Sequence, residues 1–209
     1  MTRDSNDSFV APRREDLALQ AIGADPGLQF SLLPSGALFA MEHVEGWRRI
    51  MIGQTFASPV GDAMARLFLR IDGESGPSRS IIGAQAGLRV GADADRIVWE
   101  GESEGVGHRV TLWMQSASGV WLWRVEVTNQ RAQPLACDAV LVQDLGLGDP
   151  GFLMNNEAYA CQYMDHHVAR HERLGPVLMS RQALSQGERF PWAAHGCLEG
   201  AQGFATDYR

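Results

Sequence analysis

The sequence predicts a mainly β protein, a large antiparallel β-sandwich. Three observations carry this. Apolar and polar residues alternate with a period of two in stretch after stretch, which is the pattern of strands with one buried face. Glycine-, proline- and Asn/Asp-rich turns separate these stretches at close intervals. No long amphipathic helical pattern interrupts them, and no sequence unit repeats.

Taken in order, residues 1–10 read as disordered and 13–22 (RREDLALQAI) as a short helix, within a tail covering 1–27. The sandwich domain is placed at 28–209. Leu28, Phe30 and Leu32 share one side of a strand, Pro34-Ser35-Gly36 turns, and Ala37, Phe39 and Met41 line a returning strand. Residues 48–53 form a third strand and 54–62 a loop. Ala65, Leu67, Leu69 and Ile71 alternate with polar or bulkier neighbours in the next strand. Residues 72–80 are turn-rich, and 86–100 hold two strands split at 91–93. Residues 101–107 form a turn leading to the strand that carries Val110, Leu112 and Met114 on one face.

The clearest strand follows Ser116–Gly119. Trp121, Trp123, Val125 and Val127 alternate with Leu122, Arg124, Glu126 and Thr128. Residues 129–134 (NQRAQP) turn, since Pro134 has no N–H to give a ladder. Residues 135–143 are more uniformly apolar and predict a strand buried on both faces. Asp144 to Gly151 (DLGLGDPG) contains G-x-G-x-x-G. A dinucleotide site needs a helix to begin there. Pro150 and the lack of a following apolar helical pattern oppose that, so the stretch reads as a multi-turn loop whose glycines supply positive φ. Residues 152–171 keep no period, 175–182 form a strand, and 190–198 and 203–206 add two more short ones. No closing element follows, so the sandwich is expected to be incomplete and the chain a piece of a longer protein.

Composition narrows the function. A net charge of −7 argues against a nucleic-acid partner. No apolar run is long enough to span a membrane, and residues 1–7 (MTRDSND) lack the apolar core of a secretory signal. Three cysteines, Cys137, Cys161 and Cys197, form no C-x-x-C pair, and an odd number fits a reducing, cytoplasmic setting. Six tryptophans supply aromatic faces that suit sugars or a core equally well.

The candidate site is the polar, aromatic stretch from Asn155 to His167, expected to be a loop. Asn155, Asn156, Glu157, Tyr159, Gln162, Tyr163, Asp165 and His166 are its substrate-binding or interface candidates. Amides and carboxylates beside aromatic rings suit polyhydroxylated ligands. The competing reading is a loop that satisfies its own backbone. Asp165, His166 and His167 with His171 are metal-ligand types, and on a helix His167 and His171 would share a face. No third or fourth ligand is singled out, so neither metal nor cofactor is expected. Glu157 with Asp165, or Asp144 with Asp149, are acid–base pairs only if held about 5–10 Å apart across a sugar, and they read as solvated carboxylates. Cys161 and Cys197 read as buried free thiols. No G-x-S-x-G nucleophile appears.

The stretches VWLWRVEVTNQ, VLVQDLGLGDPGFLMNNEAYACQYMDHH, GPVLMSRQ and PWAAHGCLEGAQGFATD resemble the N-terminal domain of glycoside hydrolase family 94, formerly glycosyltransferase family 36. The likeness runs from about Leu28 onward and is greatest toward the β-1,2-glucan group, the 1,2-β-oligoglucan phosphorylases and cyclic β-1,2-glucan synthases. The resemblance implies a sandwich of the galactose-mutarotase type. It also implies a helical linker and an (α/α)6 barrel beyond this chain, carrying the general acid and the phosphate site. No catalytic residue is therefore expected here, and β-glucan oligosaccharide and phosphate would be met through the barrel. Family members are commonly homodimers, some parents are attached to the inner membrane, and the Asn155–His167 stretch is the candidate dimer contact and channel lining. Two other classes are a stand-alone carbohydrate-binding module and a mutarotase-type epimerase using His108, His195 and Glu126.

Overall fold

The computed structural model describes residues 20–23, 25–53, 64–71, 78–83 and 89–206. The expected disordered start, the 54–62 loop and most of the 72–80 turns lie outside these. Among the described residues, four antiparallel sheets form. The first runs β1 (Gln20–Gly23), β2 (Gly27–Leu32), β3 (Leu38–Glu45), β4 (Arg48–Met51) in that order. The second is made by β7 (Arg89–Ala92), β8 (Arg96–Ser103), β9 (Val106–Gln115) and β10 (Val120–Asn129), with β10 at one edge. The third places β5 (Ala65–Ile71) between β11 (Cys137–Gln143) and the two-residue β6 (Arg79–Ser80). The fourth is β12 (Met164–His171), β13 (Gly175–Gln182) and β14 (Trp192–His195).

The sheets stack on one core, the sandwich that the alternation predicts. Leu28, Phe30, Leu67, Leu69, Ile97, Trp99, Val110 and Leu112 are all buried in one cluster. Trp121, Trp123, Val125 and Val127 pack against it from β10, while Leu122 on the other face is half exposed. The β8–β9 hairpin is tighter than the sequence suggests. Ser103 pairs with Val106, so the turn is only Glu104 and Gly105, both at positive φ (51° and 74°). That is the backbone of a primed two-residue turn, which matches the twist of the flanking strands.

Five expectations need correction. Of the expected 13–22 helix, residues 20–22 are strand and pair with β2, while 13–19 lie outside the described residues. Phe39 is only half-buried: a bulge makes Leu32 pair with Leu38, so Leu38 and Ala40 turn to the core. The split expected at 91–93 falls at 93–95 instead. The 135–143 strand is not buried on both faces. Among the described residues it pairs only with β5, and alternating β11 residues Cys137, Ala139 and Leu141 are exposed. Residues 203–206 form no strand.

Candidate functional site

The segment after β11 turns out to be helix and strand rather than loop. Met51 and Gly148 bridge the chain to β4 through N–H···O bonds of 2.8 and 3.1 Å. A Cβ on Gly148 would sit 2.9 Å from the Phe152 ring and 3.1 Å from Leu153, so glycine is needed there for close approach. The positive φ belongs to Leu147 (47°), not to the glycines around it. A helix does begin here: α1 (Pro150–Asn155), with Pro150 in its first turn. The Asp149 carboxylate accepts from the N–H groups of Gly151 (2.8 Å) and Phe152 (3.4 Å). The helix start is thus capped by its own chain. Leu153 is fully buried with Met51 and Ala160.

α2 (Glu157–Ala160) and a 3-10 turn over Cys161–Tyr163 follow, and then β12. The eight predicted residues therefore divide. The Asn155 and Asn156 amides donate to the carbonyls of Gly151 (2.8 Å) and Phe152 (2.9 Å), four residues back. Both are engaged by their own helix, as the self-satisfying reading expects. Glu157 opens α2. Tyr159 (59% exposed), Gln162 and Tyr163 (40%) face solvent, beside Met154 at 62%. Asp165 and His166, adjacent on a strand, point to opposite sides. Asp165 pairs with Arg181 at 2.6 Å, and the His166 ring nitrogen meets the Ser180 hydroxyl at 3.0 Å. His167 and His171 lie on this same strand, which sets their backbones roughly 13 Å apart. Among the described residues no group of three His, Cys, Asp or Glu is placed to hold a metal ion. The cysteines are free; Cys161 is exposed and Cys197 only half-buried, so the expectation that these two are buried thiols fails at Cys161 and holds only in part at Cys197, and Cys137 is exposed as well.

None of the eight lines either of two concave surfaces. One, of about 550 Å³, lies on the outer face of β8–β9–β10 and is polar, with Glu100, Glu102, Arg109, Glu126 and Thr128 on its walls. Arg109 is ion-paired with Glu100. His108 borders it, but His195 does not. His195 lies edge-on to Trp121 (5.7 Å) with its Nε2 3.4 Å from the Gln143 amide oxygen. The trio imagined for an epimerase is thus not assembled in this hollow. The second, of about 350 Å³, is aromatic: Trp121, Phe190 and Trp192 wall it, and His43 and Arg189 border it. Sequence reasoning missed it, although the FPW run at 190–192 was the available signal.

Burial holds both His108 and His195 below the ordinary histidine value of 6.5, and the Arg79 guanidinium adds to this at His108. The unfolded chain then binds protons first as pH falls. Stability is complete above 6.5 and is lost as pH drops from there toward the lowered folded values. Urea midpoints should therefore fall between about pH 7.5 and about pH 5.5, and His195→Gln should flatten that slope. An identical slope in His195→Gln would remove His195 from the account.

Among the described residues no helix is long and apolar enough to cross a membrane. The family described as SOGP N-terminal domain matches residues 31–208. A 1,2-beta-oligoglucan phosphorylase of Listeria innocua is 29% identical over 182 residues, covering 86% of this chain and 16% of that protein. The chain thus spans about a sixth of the curated relative it matches. With nearly the whole sandwich inside the matched range, the chain belongs to the SOGP N-terminal domain family.

Proposed function

We propose that this chain is a non-catalytic N-terminal β-sandwich domain of a carbohydrate-active enzyme of the β-glucan phosphorylase or cyclic β-1,2-glucan synthase type, within glycoside hydrolase family 94. The parent works in the cytoplasm as a homodimer on β-glucan oligosaccharide and phosphate, through a barrel domain. The observation that carries this reading is the match to a phosphorylase along 86% of this chain but only 16% of the relative. A second support is local. The α1–α2 segment ties down its own backbone through Asp149, Asn155 and Asn156, yet it and the 3-10 turn that follows leave Met154, Tyr159 and Tyr163 at the surface. Exposed aromatic residues on a braced segment are what a dimer contact or channel lining requires.

In the longer protein, Tyr159→Ala should lower kcat/KM for phosphorolysis of linear β-1,2-glucan by roughly tenfold or more, the loss of one well-placed contact. Asn156→Ala should lower it as well, by loosening the junction of the two helices. Circular dichroism must show both variants folded. Unchanged kinetics in both would contradict the lining role.

A further inference from the structure

The aromatic cleft is bounded by parts of the chain that sequence order keeps far apart. Leu28, Ile52 and Leu147 form a buried floor, at 1%, 5% and 2% exposure. Above it stand Trp121 from β10, Phe190 from the approach to β14 and Trp192 from the start of β14. Phe190 and Trp192 remain 50% and 52% exposed, so the core does not require them as filling. They are nevertheless held in place. Gln186 and Arg189 close a tight turn with reciprocal backbone bonds of 2.7 and 3.4 Å, and the Gln182 N–H donates to the Pro191 carbonyl at 3.1 Å. Arg189 is tied across to Glu45 at 3.1 Å.

Trp192 has a further brace. Asp165, Arg181 and Trp192 stand in register across β12, β13 and β14. The Arg181 guanidinium lies 5.4 Å from the centre of the Trp192 ring and is anchored by Asp165. One face of the indole carries a cation, and the ring also lines the cleft.

The charges nearest the cleft are balanced. Arg189 is matched by Glu45 and Arg181 by Asp165. Such a site favours a neutral ligand over a phosphate or nucleic acid. Aromatic walls and an aliphatic floor accept a C–H face, while at the rim the Arg189 guanidinium donates to hydroxyls and the His43 ring can donate or accept. A volume of about 350 Å³ is at the small end of ligand clefts. We infer that this cleft binds one or two rings of a neutral glucopyranoside, stacked against Trp192, with Asp165 and Arg181 as positioning residues for the indole. The choice of a glucoside rests on the domain reading above; the cleft itself involves none of the α1–α2 residues.

The test is titration of the 209-residue chain with sophorose and with linear β-1,2-gluco-oligosaccharides, followed by calorimetry and tryptophan fluorescence. Saturable binding at millimolar Kd or tighter is expected, with no competition from inorganic phosphate. Trp192→Leu should weaken it by about tenfold, whereas Trp192→Phe, which keeps an aromatic face, should stay within about threefold. Asp165→Ala should weaken it several-fold and Asp165→Glu should restore it. The assignment is overturned by a folded chain that shows no saturable binding, by wild-type affinity in Trp192→Leu, or by equal losses in the Phe and Leu variants. Binding that is present here but absent in the longer protein would mean another protein surface fills the cleft, and would overturn it too. The Tyr159→Ala kinetics decide the domain reading separately.

Discussion

Trp99→Ala should remove about 4 kcal/mol of stability, the range for truncating a large aromatic in a core. Trp99 is 0% exposed. Its ring stacks on Trp123 at 5.9 Å between centroids and 24° between planes. Its indole N–H donates to the Gly36 carbonyl at 2.7 Å, joining β8 to the turn between β2 and β3. One side chain thus links two sheets by packing and by a buried hydrogen bond. Alanine leaves a cavity that the surrounding strands cannot collapse into without losing register. Single domains hold only about 5–15 kcal/mol in all, so the loss is a large share. Trp99→Phe isolates the hydrogen bond: it fills most of the space but leaves Gly36 unpartnered, at a cost of roughly 1–3 kcal/mol. Urea unfolding followed by far-UV circular dichroism would read both as shifts in midpoint at constant slope. A loss below about 1 kcal/mol for Trp99→Ala would show that the sheets do not share this core.

The sandwich was legible wherever one strand face meets the core and the other meets water. Ala65, Leu67, Leu69 and Ile71 show this, since each is buried and alternates with less buried neighbours. What was not legible depends on neighbours in space. Apolarity along 135–143 reports a tendency to bury, whereas β11 lies at a sheet edge where alternate side chains face outward. β12 reads MDHHVARH and is exposed on most of its length, so it carries no period to detect. α1 has six residues, too few for a helical repeat, although Asp149 and Pro150 are ordinary start signals. For the candidate site, the sequence located a polar segment but not which side chains were free. Asn155 and Asn156 prove to serve their own helix. The aromatic cleft joins residues from Leu28 to Ala193, and no local pattern encodes such a meeting.

Gln182→Leu should cost about 2–4 kcal/mol, because it strands polar groups at a junction the whole site rests on. Gln182 is 0% exposed. Its side-chain N–H donates to the Gly146 carbonyl at 2.9 Å, and its carbonyl oxygen accepts from the Leu184 N–H at 3.1 Å. It thereby fastens β13 to the segment that leads into α1, and sets the turn that leads to Gln186, whose side-chain amide oxygen accepts from the Asp149 N–H at 2.8 Å. Leucine preserves the volume, so the loss measures the unpaired carbonyl and amide rather than a cavity. Gln182→Glu separates the terms further. A carboxylate facing the Gly146 carbonyl has no hydrogen to donate and is buried, so folding favours its protonated form and raises its folded pKa above the unfolded value. The stability of that variant is then fully present below the unfolded carboxyl value of about 4.3 and declines as pH rises through the folded one. At neutral pH Gln182→Glu should be the less stable of the two variants, and acidification toward pH ~4 should narrow the gap. Because α1 and the Phe190–Trp192 wall both hang from this residue, the same variants should lower the affinity of the cleft for sophorose even at temperatures where the fold is intact. Full affinity in a folded Gln182→Leu chain would show that the two regions are anchored independently of it.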